Sequence, residues 1–431
     1  MKCLQNGGSK LTRRWDMSDD PKNLPNENFC IIPWIHLNTW PNGNVFQCCI
    51  TDYRNHIGTL RENTLEEIFN NDYMKNLRND MLQNKQHSSC TKCYEQEDMG
   101  ITSFRNAANK NFSNHIDNAV ATTQPDGSTE FNLIYWDFRF SNLCNMKCRM
   151  CGGHLSSMWN IDEKEIYGKA SEPEIVVNTK DHSIDDLYQV LDEQIDNVEE
   201  IYFAGGEPLI MEEHYYILEK LIEKKRFDVR LRYNTNLLKV KYKKWDNLEL
   251  WKHFDNVQVI ASLDAMAERG EYIRKGTVWN TVNDNMKLLI SQDHIKFGVS
   301  PTINLFNVHH IPDFVEYMLE CGLRVEELHL NNVLTNPSWY HVNILPEDIK
   351  DEIRNKYNEH IATTQNADTR RRLSGKYKSI LDYLNTDMSD KDLAFNKMKF
   401  HEVTTRLDVY RKESFSEVFP ELASFYGEIT K

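Results

Sequence analysis

The chain has 431 residues, room for one large catalytic unit and one or two smaller ones. Hydrophobic residues make up 40% and charged residues 27%, a soluble globular balance, and Lys+Arg 51 against Asp+Glu 65 gives a net charge of −14. That charge argues against a surface gripping duplex nucleic acid over a wide area, although it leaves room for a small nucleotide substrate or a local basic patch.

Residues 1–25 form a polar leader without the apolar core of a secretory signal. No stretch approaches the apolar length that spans a bilayer. Ten cysteines without export point to metal ligation rather than disulfides, and to a reducing cytoplasm. Eight of the cysteines fall into two groups, while Cys3 and Cys321 stand alone.

The first group lies in a module predicted over 26–110. It comprises Cys30, then Gly43-Asn44-Val45-Phe46-Gln47-Cys48 followed directly by Cys49, and last Cys90-Thr91-Lys92-Cys93. Cys30, Cys48, Cys90 and Cys93 supply four thiolates, enough to saturate one metal centre. Cys49 competes with Cys48, because adjacent cysteines do not easily bind one cube together. A structural zinc ribbon is the alternative for the same four thiolates. A polar stretch rich in Asn, Thr, Asp and Gly then predicts a linker over 111–130.

From 131 to 335 short apolar strands alternate with amphipathic helices, the pattern of βαβ units and a parallel sheet. Strands are predicted over 131–140, 200–204, 229–233, 257–263, 294–303 and 326–331, with a helix over 212–225. Six such strands make a partial (β/α)6 barrel, whose active site belongs on the loops at the C-terminal strand ends. Each polar motif falls at such an end. The second cysteine group, Cys144-x3-Cys148-x2-Cys151, follows the first strand. Three thiolates leave one iron of a four-iron cube without a protein ligand, and an open position is where a metal does chemistry. Zinc or simple core packing is the alternative for this triad.

Gly205-Gly206-Glu207-Pro208 follows the second strand, and Asn234-Thr235-Asn236 closes the third. Ser262-Leu263-Asp264 closes the fourth, and Asn304 lies beyond the fifth. Two glycines let main chain approach a neighbour closely, and a glutamate can accept from an ammonium.

Together, Cys144 to Gly276 resembles the core of the radical SAM enzymes. The resemblance implies a [4Fe–4S] cluster on Cys144, Cys148 and Cys151, with S-adenosylmethionine on its open iron. Gly205, Gly206, Glu207 and Pro208 match the motif that cradles the SAM amino group. Asn234 and Asn236 stand at the third strand end, although Leu237 replaces the family's glycine there. Ser262 and Asp264 sit where relatives hydrogen-bond the ribose, Arg274 where they place a cation on the SAM carboxylate, and Asn304 is a candidate for adenine contact. Met150 stands where relatives carry an aromatic residue. The first cysteine group resembles the SPASM/twitch module, implying a second, auxiliary [4Fe–4S] cluster on Cys30, Cys48, Cys90 and Cys93. In most relatives this module follows the barrel; here it precedes it.

The resemblance implies reductive cleavage of SAM, a 5′-deoxyadenosyl radical, hydrogen abstraction from substrate, and an electron donor such as flavodoxin or ferredoxin. The auxiliary cluster would transfer electrons or bind substrate. Peptide or protein modification is the favoured outcome, with a nucleotide, modified base or sugar as the alternative, and a non-catalytic metalloprotein as a third reading. No catalytic side chain is identified. Strand alternation aims Asp137, Arg139, Tyr202, Arg232 and Tyr233 at substrate, while Cys321 is assigned to helix packing. Residues 336–431 read as a helical cap, with helices from Glu347 to Tyr357, on to Leu384, and from Phe415 to Phe425.

Overall fold

The computed structural model describes residues 24–98, 100, 102–169 and 185–429; the greater part of the predicted leader lies outside them. The chain divides into two compact units. One comprises the residues up to Ile35, Ile50–Asp52 and Asn70–Phe131. The other comprises His36–Cys49, Tyr53–Phe69 and everything from Asn132 onward.

The larger unit is built on an eight-stranded sheet. Its strands in chain order are β1 (His36–Thr39), β2 (Asn44–Phe46), β3 (Gly58–Thr59), β4 (Tyr135–Phe138), β6 (Glu200–Phe203), β7 (Arg230–Thr235), β10 (Val257–Ala261) and β12 (Ile295–Val299). Four short strands stand apart as two ribbons: β5 (Lys147–Cys148) with β11 (Arg274–Lys275), and β8 (Lys241–Tyr242) with β9 (Trp245–Asp246). The sheet order is β12-β10-β7-β6-β4-β1-β2-β3, parallel from β12 through β1 and antiparallel beyond. This is an α/β partial barrel, with one addition that the sequence pattern did not show. Strand β1, from between the first two cysteines, pairs in parallel with β4 and extends the barrel sheet by one strand.

Alternation along β7 explains how the sheet packs. Leu231, Tyr233 and Thr235 are buried on one face, while Arg230, Arg232 and Asn234 keep partial exposure on the other. The buried face meets helix Glu212–Glu223, whose His214, Tyr215, Ile217, Leu218 and Leu221 fall at helical spacing. Tyr233 stacks on Phe203, packs on Trp251 and bonds His214 through its hydroxyl at 3.0 Å. Tyr233 therefore points at the helical layer, not at the barrel interior, which corrects its predicted orientation.

The predicted sixth strand is reduced to a single parallel bridge between Leu328 and Val299. A 3-10 turn, Val325–Glu327, occupies the start of that segment, because Glu327 turns back to accept from the Arg324 amide at 2.7 Å. The C-terminal region is helical, in Glu347–Thr363, Ala367–Leu384 and Asp390–Arg411.

The smaller unit is helical. Phe29, Ile31, Trp34, Met74, Leu77 and Met81 form its core. A fully buried Arg78 ties it together, donating to Pro33 O at 2.9 Å and Gly127 O at 3.2 Å. The predicted 111–130 linker holds a helix, Ile116–Thr122, anchored by buried Ile116 and Ala119; only its second half is the turn the composition suggested.

Candidate functional site

The cysteine loop leaves β4 and is fixed by side chains bonding main chain. Asn142 Nδ2 donates to Gly153 O (2.8 Å), Ser156 Oγ to Met146 O (2.5 Å), and Trp159 Nε1 to Cys148 O (2.8 Å). These bonds hold Cys144, Cys148 and Cys151 within electrostatic reach of one another. Burial pushes all three thiols up, Cys151 to about 12, with Cys148 and Cys151 adding to the effect on Cys144 and Cys148 adding to it on Cys151. Arg274, its Nη1 lying 3.7 Å from the sulfur, and Arg411 offset this at Cys148. One buried and two half-buried thiols that repel one another as thiolates suit a cationic metal centre, which supplies the missing positive charge.

The turn after β6 is built around that loop. Gly205 has φ +121°, in the region that favours glycine. At Gly206 a Cβ would lie 2.2 Å from Leu143 O, and the Glu207 amide donates to that same carbonyl at 2.8 Å. Gly206 thus makes room for the cysteine loop's own backbone. Glu207 is 1% exposed and accepts from Leu209 N (3.1 Å), Thr235 Oγ1 (2.7 Å) and Asn236 N (2.7 Å). Burial raises its carboxyl to about 7 despite those three donors. The carboxylate cross-links the Gly-Gly turn to the end of β7, and Asn236 Nδ2 extends the link to Asn145 Oδ1 inside the cysteine motif at 2.7 Å. Pro208 is buried in the short turn that follows.

Arg274 pairs with Cys148 in the β5–β11 ribbon, which places its guanidinium beside the cluster loop. It is paired with Asp264, Nη2 donating to Oδ1 at 3.0 Å and Nε lying 2.7 Å from Oδ2 as an ion-pair contact without a hydrogen bond. Asp264 is 1% exposed and also accepts from Thr302 N at 2.7 Å. In this arrangement Asp264 orients Arg274. Ser262 and Asn234 remain half-exposed at neighbouring strand ends. Asn304 is fully buried, donates to Thr302 O (2.8 Å) and accepts from Phe306 N (2.9 Å). Its side chain closes its own turn and has no surface for the adenine contact predicted for it.

Sequence reasoning missed what holds the loop from behind. Arg149, between the second and third cysteines, is fully buried. It reaches Asp408 at 2.5 Å and Glu413 at 2.6 Å, and lies 3.6 Å over the Tyr272 ring. Asp162 is shared by Lys147 (2.5 Å) and Arg411 (2.7 Å), and Arg411 donates to Lys147 O at 2.9 Å. Helix Asp390–Arg411 is therefore a brace on the cysteine loop. Arg149 and Asp408 lie 259 residues apart in the chain, so no local pattern announced the pair.

In the smaller unit, Cys30, Cys90 and Cys93 come together around Arg105. Burial raises all three, Cys90 to about 11, and Arg105 opposes the rise. Arg105 pairs in turn with Glu97. Cys48 and Cys49 belong to the larger unit. Cys49 lies near Asp137 and Arg139.

The comparisons with known proteins agree with this geometry. Residues 138–321 match the radical SAM superfamily. The chain carries a radical SAM domain. Residues 30–94 match the SPASM iron–sulfur cluster-binding domain, which lies ahead of the radical SAM domain in the chain. With these domains come a [4Fe–4S] cluster, SAM and auxiliary iron–sulfur ligation. No curated protein sequence matches the chain. Among solved structures, Streptococcus suis SuiB bound to precursor peptide SuiA is 15% identical over 56% of this chain and 53% of its own, with TM-score 0.34. SuiB alone is 14% identical over 76% and 70%, with TM-score 0.36. TYW1 with a lysine-pyruvate adduct is 14% identical over 55% and 76%, with TM-score 0.28. The chain spans about half the length of the peptide-bound SuiB. Among the described residues no helix is long and apolar enough to cross a membrane.

Proposed function

We propose that this chain is a radical SAM enzyme that abstracts hydrogen from substrate, with peptide or protein modification as the favoured outcome, working in a reducing cytoplasm with flavodoxin or ferredoxin as electron donor. The observation that carries the reading is the convergence of Cys144, Cys148 and Cys151 beside the Gly205–Pro208 turn. Cys144, Cys148 and Cys151 would hold a [4Fe–4S] cluster, which together with bound SAM would supply reductive radical chemistry.

The chain's own part is to hold and shield. Gly206 and Glu207 lock the turn against the cysteine loop. Arg274, oriented by Asp264, presents fixed positive charge next to Cys148, where it favours the thiolate and suits a carboxylate. Gly205, Asn234, Asn236 and Ser262 edge the same strand ends and are the proposed SAM contacts. For the auxiliary cluster we assign Cys30, Cys48, Cys90 and Cys93. Support comes from the SPASM match over 30–94 and from Cys49 lying against Asp137 and Arg139. Four ligands would saturate that cluster and suit it to electron transfer.

Anaerobic reconstitution, iron counting and assay of 5′-deoxyadenosine after SAM and dithionite test the reading. Roughly eight irons per chain are expected for two cubes. The triple Cys144→Ala, Cys148→Ala, Cys151→Ala variant should keep about half the iron and make no deoxyadenosine. Zinc in place of iron, or deoxyadenosine from the triple variant, would overturn it.

A further inference from the structure

The interior of a parallel barrel is ordinarily filled by branched apolar side chains. Here a middle layer is polar. Arg232 of β7 registers with Tyr202 of β6 and Gln258 of β10, Gln258 with Lys296 of β12, and Asn38 of β1 with Asp137 of β4. Arg232 lies on the face of β7 opposite the helix-packed Leu231 and Tyr233, so this layer faces the barrel interior. Most of this layer is already satisfied: Arg232 is bonded to Glu200 with its side chain 40% exposed, and Lys296 is exposed and bonded to Asn256.

Arg139, just above this layer, is the least satisfied member. Its Nε approaches Asp137 Oδ1 only to 3.5 Å, and neither that Nε nor either oxygen of the fully buried Asp137 has a hydrogen-bond partner. The Arg139 Cβ stands 3.3 Å from where a Cβ on Gly205 would be, directly beside the Gly-Gly turn. Its guanidinium lies 5.4 Å from the Trp40 ring, which stacks at 5.9 Å on His154, three residues past Cys151. The Arg139 guanidinium, its Nε without a hydrogen-bond partner, thus stands between the cluster loop and the barrel interior. Glu200 is shared by Arg230 (3.1 Å) and Arg232 (2.8 Å), and Asp137 faces Arg139. With Lys296 at the end of the layer the cations outnumber the two carboxylates, which suits an anion, and the planar guanidinium of Arg139 selects a planar one.

We propose that Arg139, backed by Asp137 and with Arg232 below it, is a carboxylate-binding site that holds an acidic group of the substrate beside the SAM cradle. A planar guanidinium binds a planar carboxylate bidentately. That the ligand is substrate rests on the radical SAM reading; that the site binds a carboxylate does not.

The test is isothermal titration calorimetry on the reconstituted full chain with SAM. N-acetyl-glutamate α-methylamide offers a side-chain carboxylate, N-acetyl-alanine a terminal one, and N-acetyl-glutamine α-methylamide is the neutral isostere. Inorganic phosphate is the competing anion. Saturable binding of one of the acids and none of the isostere is expected, and which acid binds distinguishes the two sources. Arg139→Gln should weaken that binding roughly ten-fold or more, and Arg139→Lys should recover part of it. The recovery separates a lost contact from a misfolded chain. Absence of saturable binding by either acid, equal binding by Arg139→Gln, or tighter binding of phosphate would overturn the proposal. Deoxyadenosine formation by the wild type is read in parallel. If it fails while the Arg139-dependent binding holds, the radical reading falls and the carboxylate site stands.

Discussion

Replacing Arg149 by Met tests whether the C-terminal helix is part of the cluster site. Methionine keeps a similar apolar stem and removes the guanidinium, which lies at 2.5 and 2.6 Å from Asp408 and Glu413 with no exposure of its own. Removing one partner of a buried pair leaves the other charges stranded and destabilises by about 3–5 kcal/mol. The 3.6 Å stack on Tyr272 adds about 2 kcal/mol at most, and the two losses overlap. Glu413 still has Lys275 at 2.8 Å, and Asp408 still accepts from Tyr272 Oη (2.8 Å) and Phe415 N (2.7 Å), so the lower end of that range is the better estimate. Urea denaturation of wild type, Arg149→Met, Asp408→Asn and the double variant measures the coupling directly. A coupling near 2 kcal/mol or more is expected. Arg149→Met should also lose triad iron to a chelator faster than wild type, because its backbone lies between Cys148 and Cys151. A loss below about 0.5 kcal/mol, the range of surface changes, would refute the view that this pair is buried and that the helix braces the loop.

Glu207 should make stability depend on pH. Its carboxyl rises from 4.5 to about 7 in the fold, so between those values the folded chain keeps a proton the unfolded chain has released. Stability should therefore fall as pH rises from about 4.5 to 7 and level off above, and Glu207→Gln should flatten that slope; denaturant midpoints across this window measure it. Gly206→Ala would put a methyl 2.2 Å from Leu143 O, a rigid backbone atom, so it should displace the cysteine loop and lower reconstituted iron. Tyr233→Phe should cost about 1 kcal/mol through the lost His214 bond and leave deoxyadenosine formation unchanged, since this residue faces the helices; a large fall in activity would return it to the barrel interior.

What could be read from sequence was what is local in sequence. The cysteine spacing, the Gly-Gly-Glu-Pro turn and the strands that end in them announce themselves because each is a few residues of one type at one place. The inward aim of Asp137, Arg139, Tyr202 and Arg232 followed from alternation alone. Tyr233 failed because one step along a strand reverses the face, and the predicted end of the third strand at 233 gave no anchor for the phase; the strand runs to Thr235. Asn304 failed because an asparagine can satisfy itself within its own turn, which its position after a strand does not reveal.

The remaining gap is the sequence distance between partners. Arg149, Lys147 and Arg411 looked like ordinary surface charges until Asp408 and Asp162 were brought to them. The same holds for the strand between the first two cysteines. His36 to Thr39 is buried throughout and pairs residue by residue with Tyr135 to Phe138, closing an edge of the sheet that would otherwise be bare. A module boundary drawn from composition places that strand with the N-terminal cysteines, whereas its hydrogen bonds place it in the barrel. Cys48 and Cys49 follow the hairpin that β1 begins, so the barrel sheet itself sets where those two thiols stand. An N-terminal SPASM domain can thus share its backbone with the catalytic barrel, and mutations in β1 should disturb Arg139 and Asp137 before they disturb the helical core around Arg78.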